Sequence, residues 1–528
     1  MASAGTSTIV RRGFLHVAGR AVHYRAAGQG PPALFVHSSP TNGSFVLDDL
    51  LALADTHTGI AFDTPGFGLS DPLDGEHLTV ADLADATAAA LSELSLPPLP
   101  VYGTHTGAAV ALALAHRHPH RVTGVVLDGV PVFRPEEAAA QIADGYFAVP
   151  RPDPLGGHWA AIWTRLRDQS IWFPWFARRP ENLLERAPYP TADLHRWTSM
   201  YWDAAEHYAP AYRAAITWCD GALEAAAGLA VPAVFTAPQH DMLHPHLRRL
   251  PPLRPGQEIV ELGADRVARL PLTRAAFARF GGHDAAVAFP AGLTPGAGLR
   301  RQIVMDGADA RLVRYAGDPA DPPLLLLHDL PGSSALIEDA IRAQAAAGHF
   351  VVAPDLPGSG ESDPLPAEAA LRDYADALAR TWDALGLGVP HVQGSGLGAA
   401  VAVEVAATRP VRSLTVTDLP AGLPADLRAD LHADLHADRY APPVEIRADG
   451  GHWYALWSQL RDSLIRTPWY ATAPGALRRT PADLGAGRLH RWTVEVMKQH
   501  ASYHHAVHAA LREDTPARLA GVRAGAVT

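Results

Sequence analysis

Short apolar runs alternate along the first half of the chain with longer, Ala-rich stretches of mixed polarity. PALFVH, GIAFD, LPVYG and GVVLDG are nearly uninterrupted apolar runs, the pattern of strands buried on both faces. VADLADATAAALSEL and GAAVALALAHRH place apolar residues at helical spacing. Strand-helix alternation with right-handed crossovers predicts an α/β fold built on a mostly parallel, doubly wound sheet. Sites in such sheets lie at the carboxyl ends of strands, so the residues just after each apolar run carry the chemical interest.

The pattern is written twice. His37 matches His328 and GTHTGAAVAL from Gly103 matches GSGLGAAVAV from Gly394, both at an offset of 291. DTPGFGLSD from Asp63 matches DLPGSGESD from Asp355 at 292, GGHWAAIWTRLRD from Gly156 matches GGHWYALWSQLRD at 294, and the two LHRWT strings lie 295 apart. Such small drift means duplication of a whole domain, since the repeat is far too long for a solenoid. The expected organisation is a first domain over 1–280, a Gly-, Ala- and Pro-rich linker over 281–300, and a second domain over 301–528. After its LHRWT the first copy continues into VPAVFTA and EIVEL, whereas the second has only residues 494–528 left. The second copy is therefore expected to be truncated, without the last two strands.

Composition narrows the function. With 44 basic and 55 acidic residues the net charge is -11, and no basic run marks a surface for nucleic acid. Lys498 is the one lysine, so a Walker-type phosphate loop is absent and Schiff-base chemistry would have to use that residue. The single cysteine, Cys219, excludes an internal disulfide or a thiolate metal cage, which fits a reducing compartment. The N-terminal residues have no signal-like apolar core, and no stretch is long and apolar enough to span a bilayer. A cytoplasmic protein without a membrane partner is expected.

HSSPTN after one strand, DTPGFGLSD after the next, and a GxxxG turn between the strand VY and the helix AAVALALA together resemble the α/β-hydrolase superfamily. HDLPG, DLPGSGESD and GSGLG repeat the set in the second copy. The resemblance implies a core sheet, a helical lid over roughly 135–228, and a nucleophile on a strained elbow beside an oxyanion hole. It also implies an acid after the sixth or seventh strand, where Asp128 and Asp241 stand, and a histidine after the last strand. There the chain reads EIVELGADRVARL, offering Asp265 and Arg266 but no imidazole.

Both elbows depart from the family pattern. Copy one reads Gly103-Thr104-His105-Thr106-Gly107, with a histidine at the nucleophile position. Copy two reads Gly394-Ser395-Gly396-Leu397-Gly398, with no side chain there, and Ser395 is flanked by Gln393 and Leu397 rather than by glycines. Copy two is thus expected to be noncatalytic. In copy one, His105 could serve as general base or nucleophile, with Asp128 or Asp241 accepting its Nδ1 proton and backbone N–H groups at Ser38, Ser39 and Thr106 forming the oxyanion hole. The alternative is an inert His105 in a noncatalytic ligand-binding or scaffold protein.

HWAAIWTRLRDQSIWFPWF supplies Trp159, Trp163, Trp172 and Trp175 as candidates for an aromatic wall around an apolar ligand. Trp159 and Trp163 read equally as a packing stripe at i, i+4, because Trp453 and Trp457 repeat it beside the side-chain-less elbow. Arg167-Asp168 and Arg461-Asp462 could bind a polar substrate group or pair within the lid, and the second reading is preferred. Histidines 240, 244 and 246, and 500, 504 and 508, are spaced for metal, but neither set carries a water-activating Glu as in HExxH. DLHADLHAD, with His432 and His436, reads as a solvated helix. No metal and no cofactor are expected. The expected activity is hydrolysis, or related lyase or proton-transfer chemistry, on a small hydrophobic carbonyl compound. Packing between the two copies, or between chains, would cover the edge that an incomplete second sheet exposes.

Overall fold

The computed structural model describes residues 8–522 except 76, 144, 185–186, 264–267, 295, 297 and 419–436. Asp265, Arg266, His432 and His436 lie outside the described residues. The chain divides into two compact units. The first runs to Pro150 and resumes over Ile162–Pro290; the second comprises Arg151–Ala161 and the chain from Ala291.

The first unit is an eight-stranded sheet in the order β1-β2-β4-β3-β5-β6-β7-β8. Its strands are β1 (Arg11–Val17), β2 (Arg20–Gly28), β3 (Pro32–Val36), β4 (Thr58–Phe62), β5 (Leu99–Thr104), β6 (Val122–Asp128), β7 (Ala233–Pro238) and β8 (Gln257–Leu262). β1 and β2 form an antiparallel hairpin, β2 joins β4 antiparallel, and all later pairings are parallel. Every residue of β3 and β5 is buried, as expected of central strands covered on both faces. Phe35, Leu50, Tyr102, Val126 and Phe277 share the core on one side of this sheet. The parallel strands match the apolar runs in the sequence. The antiparallel hairpin does not announce itself there, because RRGFLHV and RAVHYRAAG interleave charge with apolar residues.

Among the described residues, five α-helices come between β6 and β7: Pro135–Ala143, Gly157–Gln169, Thr191–Ala204, Tyr208–Thr217 and Cys219–Gly228.

The second unit repeats the design with β9 (Arg300–Asp306), β10 (Asp309–Ala316), β11 (Pro323–Leu327), β12 (Phe350–Pro354), β13 (His391–Ser395) and β14 (Ser413–Thr417). Its order, β14-β13-β11-β12-β10-β9, reproduces the first six strands of the first sheet with the same mixture of antiparallel and parallel pairings. Among the described residues no strand stands where β7 and β8 stand in the first. Within this unit Trp159 stacks on Trp453, with centroids 5.3 Å apart, and on His490 at 5.0 Å.

One carboxylate ties the loops together in each unit. Asp63, at the end of β4, accepts from the N–H of Gly43 at 2.7 Å and of Leu69 at 2.9 Å and pairs with Arg25 at 2.9 Å. Asp355 does the same with the N–H of Ser334 at 2.8 Å and of Glu361 at 2.9 Å. Each is fully buried, and the hydrogen bonds offset the cost of that burial. His37 and His328 are tethers of the same kind. Nδ1 of His37 donates to the Ser38 carbonyl at 2.8 Å and its Nε2 accepts from the Thr64 N–H at 2.9 Å. His328 meets the Asp329 carbonyl at 2.8 Å and the Leu356 N–H at 3.0 Å. These bonds hold the loop after β3, and its counterpart after β11, against the neighbouring strand end.

Candidate active site

The chain turns sharply from β5 into the helix Thr106–Arg117, and His105 sits at the apex with φ 52° and ψ −115°. A non-glycine residue there is strained, at a cost of about 1–3 kcal/mol, and such strain persists only when the surroundings enforce it. The flanking glycines do so. A Cβ on Gly103 would lie 2.3 Å from the Gly107 carbonyl oxygen, and one on Gly107 would lie 2.2 Å from that of Val36. Strand, helix and the end of β3 therefore pack backbone to backbone, and the side chain between the glycines is left to project. The His105 N–H donates to the Asp128 carbonyl at 2.9 Å, fixing the turn to the end of β6.

The ring meets Asp241, which follows β7. Nε2 of His105 lies 2.9 Å from Oδ2, with the His105 side chain 26% exposed and that of Asp241 only 3%. Oδ1 of Asp241 accepts from the Leu243 N–H at 2.9 Å, a local turn that aims the carboxylate. A carboxylate only accepts, so Nε2 carries the proton and Nδ1 keeps a lone pair. The expectation from sequence puts the acid on Nδ1; the structure places it on Nε2. From the elbow, Nδ1 is the nitrogen nearer the backbone, and a carboxylate arriving from another strand reaches the ring tip. Gly129 makes room for the ring, since a Cβ there would come within 2.7 Å of its Cδ2.

Asp128, the other candidate acid, takes the hydroxyl of Tyr102 on Oδ2 at 2.8 Å. Burial and then the nearby Asp241 push its carboxyl above the usual range, while burial and Asp128 push the Tyr102 phenol well up. Asp128 is thus the partner of Tyr102 beneath the elbow, and Asp241 is the partner of the ring.

Ser38, Ser39, Thr41, Thr104 and His105 form the polar side of a narrow cavity of about 50 Å³, with Phe45, Leu166, Tyr189, Trp197, Tyr212 and Met242 among the remaining lining. Thr106 begins the helix, where N–H groups have no intrahelical acceptor. Of the four tryptophans expected to form a ligand wall, none is among the described lining. Trp159 is buried against Trp453 and His490 in the second unit, and Trp163 is 1% exposed. Trp175 lies 5.1 Å from the Arg165 guanidinium, and Trp172 bridges to Leu183. The i, i+4 spacing of Trp159 and Trp163 is that of a packing stripe. Trp197, in the first LHRWT, takes the wall position instead; its repeat in the chain is the signal that could have drawn attention to it. A larger groove of about 660 Å³ lies by Gln29, Thr58 and Phe289, and holds no residue of the elbow motif.

The histidine groups do other work. Nδ1 of His246 accepts from the Val132 N–H at 2.9 Å, and Nε2 of His508 donates to the Ala441 carbonyl at 2.9 Å. Among the described residues no three His, Cys, Asp or Glu side chains converge as metal ligands. Likewise no described helix is long and apolar enough to cross a membrane.

The family model for the alpha/beta hydrolase fold matches residues 31–154 and 322–440, one segment in each unit. A haloalkane dehalogenase of Mycobacterium bovis is 33% identical over 122 residues, which cover 23% of this chain and 42% of that protein. A cis-3-alkyl-4-alkyloxetan-2-one decarboxylase of Shewanella oneidensis is 32% identical over 120 residues, 22% of this chain and 38% of that protein. A 2-hydroxymuconate semialdehyde hydrolase of Pseudomonas putida is 36% identical over 139 residues, 24% of this chain and 47% of that protein. In each case the match spans less than half the length of the relative. Two sheets with one strand order, each carrying a loop-and-elbow set and each matched in part by the same model, give this chain the α/β-hydrolase fold twice.

Proposed function

We propose that the first unit is a cofactor-free hydrolytic centre acting on a small hydrophobic carbonyl compound, with His105 as general base and Asp241 as its orienting carboxylate. The observation that carries this reading is the pairing at the elbow: a strained non-glycine residue whose ring is hydrogen-bonded to a buried carboxylate, where the second unit has Gly396. The strain has no structural use that glycine would not serve better.

In the proposed step, Nδ1 takes a proton from water as the water oxygen attacks the carbonyl carbon, and the carbonyl π electrons move to oxygen. Asp241 stabilises the imidazolium so formed. N–H groups at Ser39 and Thr106 receive the oxyanion. Collapse of the tetrahedral species expels the leaving group, which takes the proton back from Nδ1. The same base could instead remove a proton beside the carbonyl, giving the lyase or proton-transfer variants; the names of the related hydrolases and the decarboxylase span both kinds of chemistry.

The narrowness of the cavity favours a second reading, a noncatalytic binding or scaffold protein. About 50 Å³ holds one or two waters at ~30 Å³ each, well below the ~300 Å³ of ordinary ligand pockets. On the enzyme reading the helices between β6 and β7 act as a lid that moves to admit substrate. A screen of esters, thioesters, epoxides and β-diketones against wild type and H105A separates the two. Turnover by wild type that is lost in a folded H105A supports the enzyme; no turnover of any class by wild type supports the scaffold.

A further inference from the structure

In the second unit the loop after β11 and the elbow after β13 meet at one carboxylate. Asp329 stands where the first unit has Ser38, Leu330 where it has Ser39, Gly396 where it has His105, and Leu397 where it has Thr106. Oδ1 of Asp329 accepts from the N–H of Leu330 at 2.7 Å and from the N–H of Leu397, also at 2.7 Å. These groups correspond to the donors that would hold an oxyanion in the first unit. Gly396, with φ 57°, completes the arrangement: a Cβ on it would lie 2.1 Å from Oδ1 and 2.4 Å from Oδ2 of Asp329. An elbow side chain and this carboxylate therefore exclude each other, which makes the missing side chain and the added acid one structural event. Asp329 is exposed, yet the protein crowded around its carboxyl raises it to about 6, against the pull of the N–H groups.

We propose that Asp329 is an internal ligand: its carboxylate fills the anion hole of the second unit, in the place of a small monocarboxylate or a reacting oxyanion, and closes that elbow to acyl chemistry. With every donor of the hole committed to Asp329, none remains for a substrate oxygen. The second unit is thus shut by occupation as well as by loss of the elbow side chain. This inference does not depend on what His105 does.

The test uses the full chain and acetate as probe, read by saturation transfer to the acetate methyl protons at constant ionic strength against chloride. D329A should vacate the hole and bind acetate in the millimolar range, with a signal clearly above that of wild type. D329A/G396A should return to the wild-type signal, because the new Cβ stands where the carboxylate would lie. D329N keeps an oxygen for both N–H groups and should fold and behave as wild type. A folded D329A that binds acetate no better than wild type overturns the proposal, as does undiminished binding by D329A/G396A. A D329A that stays unfolded even in acetate, while D329N folds, assigns Asp329 to packing and overturns it too.

Discussion

His105 and Asp241 are 136 residues apart in the chain, and the Nε2 of one stands 2.9 Å from the Oδ2 of the other. The elbow after β5 and the turn after β7 are brought together by the parallel order β5-β6-β7, which puts the carboxyl ends of all three strands on one edge. On the proposed mechanism, chemistry at the elbow depends on a carboxylate that the local sequence does not contain.

Replacing Asp241 with Asn keeps an acceptor for the ring but removes the charge that stabilises the imidazolium. On the proposed mechanism kcat should fall by ~10²–10⁴, the usual worth of positioned acid-base catalysis, with KM little altered. Steady-state kinetics on any substrate found by screening provides the measurement. An unchanged kcat would remove Asp241 from the reaction.

The strain at position 105 is measurable apart from any activity. H105A and H105G both lack the ring, so their difference isolates the backbone at φ 52°. H105G should be the more stable, by about 1–2 kcal/mol, because only glycine enters that region without cost. Chemical denaturation of the two variants side by side reads the difference, and equal stability would mean that the elbow is not strained.

Gly129 is expected to be as intolerant as the glycines of the elbow. Its φ is 71° and an added Cβ would meet the His105 ring at 2.7 Å. G129A should lose about 1–3 kcal/mol and displace the ring from Asp241. A drop in the denaturation midpoint together with lost turnover would show both effects; a stable and active G129A would contradict the observed ring position.

Acid should weaken the first unit before any catalytic group is considered. Burial is the largest cause that lowers His23 and His246, each to about 4. The unfolded chain binds these protons near pH 6.5, and the folded chain only near 4. Between those values the unfolded state holds more protons, so stability falls as pH drops from about 6.5 to about 4, by up to about 1.4 kcal/mol per pH unit for each histidine. H246N retains an acceptor for the Val132 N–H and cannot take up a proton, so its stability should vary less steeply across this window. Denaturation at a series of pH values compares the slopes.

The elements that sequence periodicity revealed are those whose two faces are both buried. β3, β4, β5 and β6 are short, mostly apolar runs because both of their faces are covered, and the paired strings at a near-constant offset make the second copy legible along the chain itself. The hairpin of β1 and β2 was not legible, since polar and charged residues such as His23 and Arg25 interrupt its apolar runs, buried there only because both pair with Asp63. Asp329 lay in view within HDLPG, but only the positions of Leu330 and Leu397 give its carboxylate a meaning.

Chain order by itself determined the α/β class, the duplication, the elbow with its histidine and the pair of aspartates that could serve it, because local packing rules and repeated strings are written in neighbouring residues. The choice of Asp241 over Asp128, the ring nitrogen that it binds, the dispersal of the tryptophans to packing and the occupation of the second hole by Asp329 were decided only by tertiary structure. Those outcomes turn on distances of a few ångströms between side chains on different strands and loops, and no pattern along a single segment encodes such distances.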